Sequence, residues 1–274
     1  MERSEMKNLK LNYHMLEGCN YSCKFCFAHY ANKQRLDFDK MKCVIKKTAD
    51  SGFFTGINFA GGEPFLVPEL ADLIKFAKTK GLTTSVITNG YFLTKEKLDE
   101  ILPYLDCLGI SVHSVCDDIK IALGSCTKSR NVLSNKNLSE LCNYIRAKSN
   151  CKIKINTVVN SLNKNELFAP FIKELGIDRW KILRCQSFGN NSNMCITDSE
   201  WNAFCKRNGG LENSVFEDNM KDTYIMVNPA GYLMKESKDC KSYEAIGSVL
   251  FEDMEDLLLR HPLHIEEYRS RYAA

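Results

Sequence analysis

The chain has 274 residues, of which 44 % are hydrophobic and 26 % charged, with a formal net charge of +3. This is a globular composition, and a charge so close to balance argues against non-specific nucleic-acid binding. No apolar run reaches the ~18 residues of a membrane-spanning helix, and the start, MERSEMKNLKLNY, lacks the apolar core of a signal peptide. We therefore expect a cytoplasmic protein with neither a nucleic-acid nor a membrane partner.

Short apolar strands alternate with amphipathic helices along most of the chain. The predicted strands are Leu9–Leu16, Gly56–Ala60, Thr83–Thr88, Cys107–Val112, Lys152–Val159 and Trp180–Cys185. The predicted helices are Asp37–Ser51, Pro68–Lys80, Lys95–Leu105, Asn137–Ser149, Asn163–Leu175 and Asp198–Lys206. Six such units are fewer than the eight of a closed barrel, so the pattern predicts an α/β fold, a partial (βα)6 TIM barrel.

The pattern changes after about residue 210. Asp222–Val227 and Tyr232–Met234 flank the turn Asn228–Gly231 and predict a hairpin, and a helix is predicted near Met254–Arg260. We expect residues 1–210 to form the barrel. Residues 211–274 would then be a C-terminal extension that packs on the same domain and covers the barrel mouth.

Cys19, Cys23 and Cys26 lie in the loop CNYSCKFCF, directly after the first predicted strand. In parallel α/β folds, sites form at this end of the strands. Three thiolates on one loop hold three irons of a four-iron cluster and leave the fourth iron open to a small-molecule ligand. A structural zinc site needs four closed ligands, and His29 is the nearest candidate for the fourth. The spacing therefore favours a 4Fe-4S cluster over zinc.

The other ten cysteines are mostly isolated among apolar or helical residues, which is typical of small buried hydrophobic side chains. Cys185, Cys195 and Cys205 recur every ten residues. The segments between them differ in type, a loop in one case and a helix in the other, so the spacing does not favour a second metal site.

A glycine-rich motif, Gly61-Gly62-Glu63-Pro64, follows the second predicted strand. Two glycines allow a close approach of backbone, and a carboxylate accepts hydrogen bonds from an ammonium group. Asn89, before Gly90, ends the third strand, and Ser111 ends the fourth. A plain turn is the alternative interpretation of Asn89-Gly90.

Polar and basic residues alternate with apolar ones on three predicted strands. They are Asn12 and His14 on the first, Lys154 and Asn156 on the fifth, and Arg179 and Lys181 on the sixth. Residues two apart on a strand share a face. Converging cations are costly to bury without an anion, and a triphosphate supplies the countercharge. Ordinary surface lysines are the alternative, as is a packed core histidine for His14; Arg184 is a weaker candidate.

These motifs resemble those of the radical S-adenosylmethionine (SAM) superfamily. The resemblance rests on the cysteine loop, with Phe25 before Cys26, and on the glycine-rich motif one βα unit later. It implies a 4Fe-4S cluster and S-adenosylmethionine as cofactors, and a 5′-deoxyadenosyl radical that abstracts a hydrogen atom from the substrate. The cofactor-binding residues that it implies are Phe25, Gly61, Gly62, Glu63, Asn89 and Ser111.

Further motifs resemble the viperins and their prokaryotic relatives. NYH, CNYSCKFCF, INFAGGEPF, KIN, RWK and MKDTY occur in order over about residues 9–235. The resemblance implies a nucleotide dehydratase that converts a nucleoside triphosphate, with CTP favoured and UTP or GTP possible, into its 3′-deoxy-3′,4′-didehydro analogue. In that family the product terminates polymerase chains in antiviral, including anti-phage, defence.

The same resemblance assigns roles to individual residues. The substrate-binding residues that it implies are Asn12, His14, Lys154, Asn156, Arg179 and Lys181. Tyr224, in MKDTY, matches a tyrosine near the substrate, and a phenol can deliver a proton and an electron; simple packing is its alternative. An electron donor such as flavodoxin or ferredoxin is implied, and we expect a monomer.

The chain departs from the animal viperins at three positions. Gly56 stands where they have a phosphate-binding lysine, Ser125 where they have an arginine, and His113 where they have an aspartate. We therefore do not expect the phosphates to be bound with the same geometry as in the animal viperins. Recognition of the base is the feature that transfers least from them.

Three other functions stay open at this point. A radical SAM peptide-modifying or cofactor-biosynthesis enzyme is one, although such proteins often carry extra cluster cysteines near their C-terminus, and only Cys240 follows Cys205 here. A non-catalytic iron–sulfur redox switch is the second, but it leaves the glycine-rich motif and the basic strand ends unexplained. A zinc-stabilised interaction module is the third.

Overall fold

The structure is a computed structural model, and it describes residues 5–28, 34–189, 191–239 and 242–272. Its strands are β1 (Leu9–His14), β2 (Phe54–Ala60), β3 (Thr83–Thr88), β4 (Cys107–Ser111), β5 (Lys152–Val159), β6 (Arg179–Arg184), β7 (Ser214–Glu217), β8 (Ile225–Val227), β9 (Tyr232–Glu236) and β10 (Tyr243–Ser248). His29, the candidate fourth zinc ligand, and Cys240 lie outside the described residues.

The helices follow most strands, as the alternating pattern predicts. They are α1 (Phe38–Asp50), α2 (Leu70–Thr79), α3 (Lys95–Ile101), α4 (Asp117–Ala122), α5 (Asn135–Lys148), α6 (Ala169–Leu175), α7 (Asp198–Asn208), α8 (Met254–Leu259) and α9 (Ile265–Tyr272). Among the described residues, none of these helices combines the length and the apolar character that a bilayer crossing requires.

The chain forms two compact units. The first comprises Met1–Gly18, Ala28–Val86 and Met220–Ala274, and the second comprises Cys19–Phe27 and Ile87–Asn219. In the first unit the strand order is β10-β9-β8-β1-β2-β3, parallel from β8 to β3 and antiparallel from β8 to β10. In the second unit the order is β4-β5-β6-β7, parallel throughout.

Local sequence explains why these elements form. α1 begins after Asp37, whose side chain accepts from the Lys40 backbone N–H at 2.9 Å, and α7 begins with a reciprocal capping box between Thr197 and Glu200. Both helices bury one face, as amphipathic periodicity requires. The start of each of these two helices is therefore marked in the sequence by polar capping residues that precede an apolar face.

The predicted helix Asn163–Leu175 is wrong over its first half. Only Ala169–Leu175 is helical, with proline in the first turn. The preceding residues form turns because the Asn163 side chain accepts from the Asn160 backbone N–H at 2.7 Å and donates to the His113 carbonyl. Such local side-chain bonds compete with helix formation. Four further elements, α4, β7, β10 and α9, were not predicted from the sequence pattern.

Candidate functional site

The three cysteines of the predicted cluster site lie on one loop of the second unit. The Ser22 backbone N–H donates to the Gly124 carbonyl at 3.0 Å, and the Lys24 backbone N–H donates to the Leu123 carbonyl at 3.0 Å. Gly124 has φ +76°, and a Cβ there would lie 2.2 Å from the Ser22 carbonyl oxygen. Only glycine therefore allows the turn after α4 to hold the cysteine loop by its backbone.

The sulfur atoms on this loop have different surroundings. Cys23 Sγ lies 3.3 Å from Ser125 Oγ, and burial raises the pKa of the Cys23 thiol to about 12. Cys19 is exposed, and its Sγ accepts from the Tyr21 backbone N–H at 3.4 Å and from Asn89 Nδ2 at 3.7 Å. Hydrogen-bond donors of this kind adjust the reduction potential of a cluster bound by such thiolates. Asn89, predicted to bind cofactor, thus contacts a predicted cluster ligand.

Phe25 anchors the loop in an apolar cluster. It is buried together with Leu123, Cys185 and Met194, and its ring meets the edge of the His113 ring at a centroid distance of 4.6 Å. Burial lowers the pKa of His113 to about 4, and its Nδ1 accepts a backbone N–H of β5 at 3.1 Å. The histidine at the position of the animal aspartate is therefore an uncharged packing residue.

The cysteine loop suits a cluster by the chemistry of its ligands. Soft thiolates are the usual ligands of iron–sulfur clusters, and each cysteine of such a site binds a separate iron. Within 5–28, 34–189, 191–239 and 242–272, no three Cys, His, Asp or Glu side chains converge as a site for one metal ion. By the chemistry of its donors, a loop with three thiols fits a 4Fe-4S cluster.

The cysteines spaced by ten residues do not form a common site. The side chains of Cys185 and Cys195 contact each other beside the apolar cluster around Phe25. Cys205 instead lies near Asp218 and Arg184. The regular spacing in the sequence therefore does not bring the three cysteines together in the fold.

The glycine-rich motif packs against the end of β1 in the first unit. The Gly62 N–H donates to the Leu16 carbonyl at 2.7 Å, and the Glu63 N–H donates to the Gly18 carbonyl at 3.0 Å. Gly61 has φ +133°, and a Cβ on Gly62 would lie 2.0 Å from the Gly18 carbonyl oxygen. The glycines are therefore required for the chain to pack against itself.

Glu63 is fully buried at the end of this motif. Its carboxylate accepts from the Phe65 backbone N–H at 3.1 Å and caps the short 3-10 turn Pro64–Leu66. This bond holds one carboxylate oxygen in a fixed direction. A buried, oriented carboxylate is the arrangement that an ammonium ligand requires.

A one-directional chain of hydrogen bonds crosses β3, β2 and β1 in the first unit. Ser85 Oγ donates to Asn58 Oδ1 at 2.9 Å, and Asn58 Nδ2 donates to Asn12 Oδ1 at 2.9 Å. Asn12 Nδ2 in turn donates to the Ile225 carbonyl at 3.4 Å. His14, two residues further along β1, is buried, and burial lowers its pKa to about 4. Asn12 and His14 therefore present neutral groups.

The predicted basic side chains meet on β5 and β6 in the second unit. Lys154 pairs in register with Arg179, and Asn156 pairs with Lys181. Burial, together with the charges of Lys181 and Arg179, lowers the pKa of Lys154 to about 8. Asn156 is buried, and its Oδ1 has no hydrogen-bond partner in the structure. The concentrated positive charge indicates a site for an anion, and the unsatisfied amide oxygen indicates a neighbouring hydrogen-bond donor on the same ligand.

Ser111 and Tyr224 complete the predicted set. Ser111 ends β4 and pairs in register with Asn156. Tyr224 is half-buried and lies directly before β8 in the first unit, where Arg271 contacts its hydroxyl.

Comparisons with known proteins agree with these features. The family model of the radical SAM superfamily matches residues 13–159. A protein from Selenomonas ruminantium named S-adenosylmethionine-dependent nucleotide dehydratase is 36 % identical over 272 residues, 96 % of this chain and 98 % of that protein. A protein of the same name from Pseudoalteromonas ulvae is 31 % identical over 291 aligned positions, 98 % of this chain and 94 % of that protein.

The chain belongs to the S-adenosylmethionine-dependent nucleotide dehydratases.

A solved structure agrees with the fold of the dehydratase. The crystal structure of SuiB from Streptococcus suis bound to S-adenosylmethionine matches with a TM-score of 0.70 at 14 % identity, over 97 % of this chain and 68 % of that one. At this identity the likeness concerns the fold alone. The α/β fold, a partial barrel, is confirmed, as is membership of the radical SAM enzymes, whose cofactors are a 4Fe-4S cluster and S-adenosylmethionine.

One buried polar residue beside the predicted substrate site of the dehydratase was not predicted from the sequence. Glu217 on β7 is buried and forms an ion pair with Lys181 at 2.7 Å. Arg184, the weaker substrate candidate, instead pairs with Asp198 at 2.8 Å and Asp218 at 2.9 Å. A lone acidic residue in a short strand gives no signal by itself; the parallel pairing of β6 with β7 is what places Glu217 beside a lysine.

Proposed function

We propose that the dehydratase converts a nucleoside triphosphate into its 3′-deoxy-3′,4′-didehydro analogue, with CTP favoured and UTP or GTP as alternatives. The name shared by its relatives supports nucleotide dehydration. The observation that carries a triphosphate is the group of three basic side chains, Lys154, Arg179 and Lys181, in which Lys181 pairs with the Glu217 carboxylate. A polyanion balances that excess of positive charge. The product would act as a chain terminator in defence against phage.

In this proposal the cluster and S-adenosylmethionine are each held by defined residues. Cys19, Cys23 and Cys26 hold the cluster, with Asn89 and Phe25 supporting the loop. The residues proposed to bind S-adenosylmethionine are Phe25, Gly61, Gly62, Glu63, Asn89 and Ser111. Glu63 supplies a buried carboxylate for the amino group of S-adenosylmethionine.

The substrate residues hold and orient the nucleotide. When bound, the cofactors supply a 5′-deoxyadenosyl radical that removes the hydrogen atom from the ribose 4′ carbon. Lys154, Arg179 and Lys181 fix the triphosphate, which places the ribose for that transfer. Asn156, Asn12 and His14 are proposed to contact the remaining polar groups of the nucleotide.

Tyr224 is proposed to complete the reaction. The 3′ hydroxyl leaves as water once it has accepted a proton, and the remaining sugar radical takes up one electron. The Tyr224 phenol supplies both and becomes a tyrosyl radical, which a one-electron donor such as flavodoxin or ferredoxin reduces and a solvent proton restores.

The test is anaerobic turnover of the reconstituted protein with S-adenosylmethionine and dithionite, with CTP, UTP, GTP and ATP offered separately. We expect 5′-deoxyadenosine together with a triphosphate product lighter by one water, seen by mass spectrometry. Deoxyadenosine without a nucleotide product would redirect the search to peptide or small-molecule substrates. Absence of both products from protein with an intact cluster would favour the redox switch.

Four further points stay predictions from the sequence. They are the monomeric state, the cytoplasmic location, the flavodoxin or ferredoxin donor, and the division of the chain into residues 1–210 and 211–274.

A further inference from the structure

Tyr224 is held by the last helix of the first unit. Arg271 Nη1, in α9, donates a hydrogen bond to Tyr224 Oη at 3.0 Å. The same guanidinium lies over the Tyr224 ring, 4.8 Å from its centroid. Arg271 is only 6 % exposed, and both kinds of contact are stronger away from water. One side chain therefore fixes the oxygen and the ring plane of the tyrosine together.

The segment before Tyr224 is tied to the same region. The Asp222 backbone N–H donates to the Glu236 carboxylate, and burial raises the pKa of Glu236 while the charges of Lys221 and Arg271 oppose that shift. The Asp222 carbonyl accepts from the His264 backbone N–H at 2.9 Å, just before α9. Two neighbouring elements thus restrain the backbone that leads into Tyr224.

We propose that Arg271 is a positioning residue for Tyr224 in the dehydration step, an inference that rests on the proposed function. Because the guanidinium donates to the phenol oxygen, this contact does not use the phenol hydrogen. In the proposed step that hydrogen passes to the departing 3′ hydroxide. The O–H bond of Tyr224 breaks, the proton completes the water molecule, and the electron passes to the sugar radical.

The first test observes the contact itself in full-length reconstituted protein. Tyrosine labelled with ¹³C at Cζ reports hydrogen bonding and charge at the phenol oxygen, and Tyr224→Phe assigns the resonance. We expect Arg271→Met to shift the Tyr224 resonance. The matched control is Arg269→Met, on the same helix, whose exposed guanidinium donates to the Glu5 carbonyl at 3.2 Å; it should leave the resonance unchanged. An unmoved resonance in Arg271→Met would overturn the proposal.

The second test measures the ratio of nucleotide product to 5′-deoxyadenosine. We expect Arg271→Met to lower this ratio about tenfold, the scale of one charge-assisted hydrogen bond, with the KM for nucleotide within about twofold of wild type. Arg271→Lys, which retains a cationic donor, should recover part of the loss and provides a second variant if the methionine variant is unstable. An unchanged ratio in both variants would exclude the positioning role.

A double-mutant comparison tests the role of Arg271 separately from the role of Tyr224 and from the proposed function. If Arg271 acts through Tyr224, then Tyr224→Phe and the variant that also carries Arg271→Met should show the same ratio. A further fall in the double variant would show that Arg271 acts elsewhere and overturn the proposal. A wild-type ratio in Tyr224→Phe would remove the role of the tyrosine and this inference with it. A wild-type protein without nucleotide product would instead refute the proposed function.

Discussion

Gly124 shows how a residue without a ligand atom controls a predicted cluster site. Gly124→Ala places a Cβ 2.2 Å from the Ser22 carbonyl oxygen, so the turn must move away from the cysteine loop. We expect a several-fold lower content of iron and sulfide after anaerobic reconstitution. The matched control is Gly81→Ala, at φ +81° with no atom within 4 Å of the added carbon. Equal iron content in the two variants would contradict the prediction.

Lys154 predicts a pH dependence of nucleotide binding. Because its pKa is lowered to about 8, the free protein loses this charge as the pH rises through that value. We expect kcat/KM for the nucleotide to fall above about pH 8, and Lys154→Arg to remove this fall because arginine stays charged. Lys152→Arg, at an exposed position of the same strand, is the control. An identical profile in Lys154→Arg and wild type would contradict the assignment.

Lys154 also makes the free energy of unfolding depend on pH. This free energy should rise with pH, whereas kcat/KM for the nucleotide should fall. Without nucleotide, the unfolded chain binds the Lys154 proton more tightly than the folded one, since the folded pKa is about 8 and the ordinary value is 10.5. The contribution of Lys154 to the free energy of unfolding should therefore rise as the pH increases from about 8 to about 10.5. Lys154→Met should flatten this slope, measured from urea midpoints at several pH values.

The basic and amide residues that the sequence predicts share one feature, the alternation of polar and apolar residues along a strand. Lys154 and Asn156 alternate with buried apolar residues, so period two alone puts them on one face of β5, and Lys181 alternates in the same way on β6. Glu217 and Arg271 had no such signal, because a single acidic or basic residue in a short element is usually solvated. Their partners are set by strand pairing and helix docking, which a single sequence does not encode locally.

At the scale of elements, β1 contains an irregularity that α9 compensates. The register between β1 and β2 shifts between Leu9 and Lys10, and the Lys10 backbone N–H donates to Tyr268 Oη. Tyr268 is 2 % exposed, so its hydroxyl pairs with this half-buried backbone N–H from inside the protein. The C-terminal helix thereby completes the first strand.

Tyr268→Phe should therefore destabilise the protein by about 1–3 kcal/mol, the cost of leaving a buried donor unsatisfied. The matched control is Tyr144→Phe, which removes the hydrogen bond between the Tyr144 hydroxyl and the exposed Asp99 carboxylate. We expect the control to change the free energy of unfolding by less than about 0.5 kcal/mol. Equal shifts of the urea midpoint in both variants would refute the role of Tyr268.

Strands were easier to predict than helices for a physical reason. β3 and β5 agree with the predicted Thr83–Thr88 and Lys152–Val159 at both ends, because both are rich in β-branched residues. The start of α6 was wrong because Asn163 bonds to backbone at Asn160 and His113. The second of those partners is distant in sequence, so no local pattern indicates it.

At the scale of the whole molecule, the cluster loop and the glycine-rich motif belong to different compact units. We expect removal of the cluster to increase amide hydrogen exchange at Ser22 and Lys24, whose bonds hold the cysteine loop. The Gly62 amide, bonded to the Leu16 carbonyl, should keep its protection. Hydrogen exchange with mass spectrometry on holo and apo protein tests this, and a similar rise in both segments would contradict it.

The close contact of Gly62 with the backbone of the same chain also limits which inherited substitutions this position tolerates. Every missense change of this codon adds a β-carbon, which would meet the Gly18 carbonyl oxygen at 2.0 Å. Even alanine is too large for this position, so variants should be inactive rather than graded. Conservation of this glycine across a lineage would therefore record the contact of the chain with itself, and would be expected even in a descendant that had lost its cofactor.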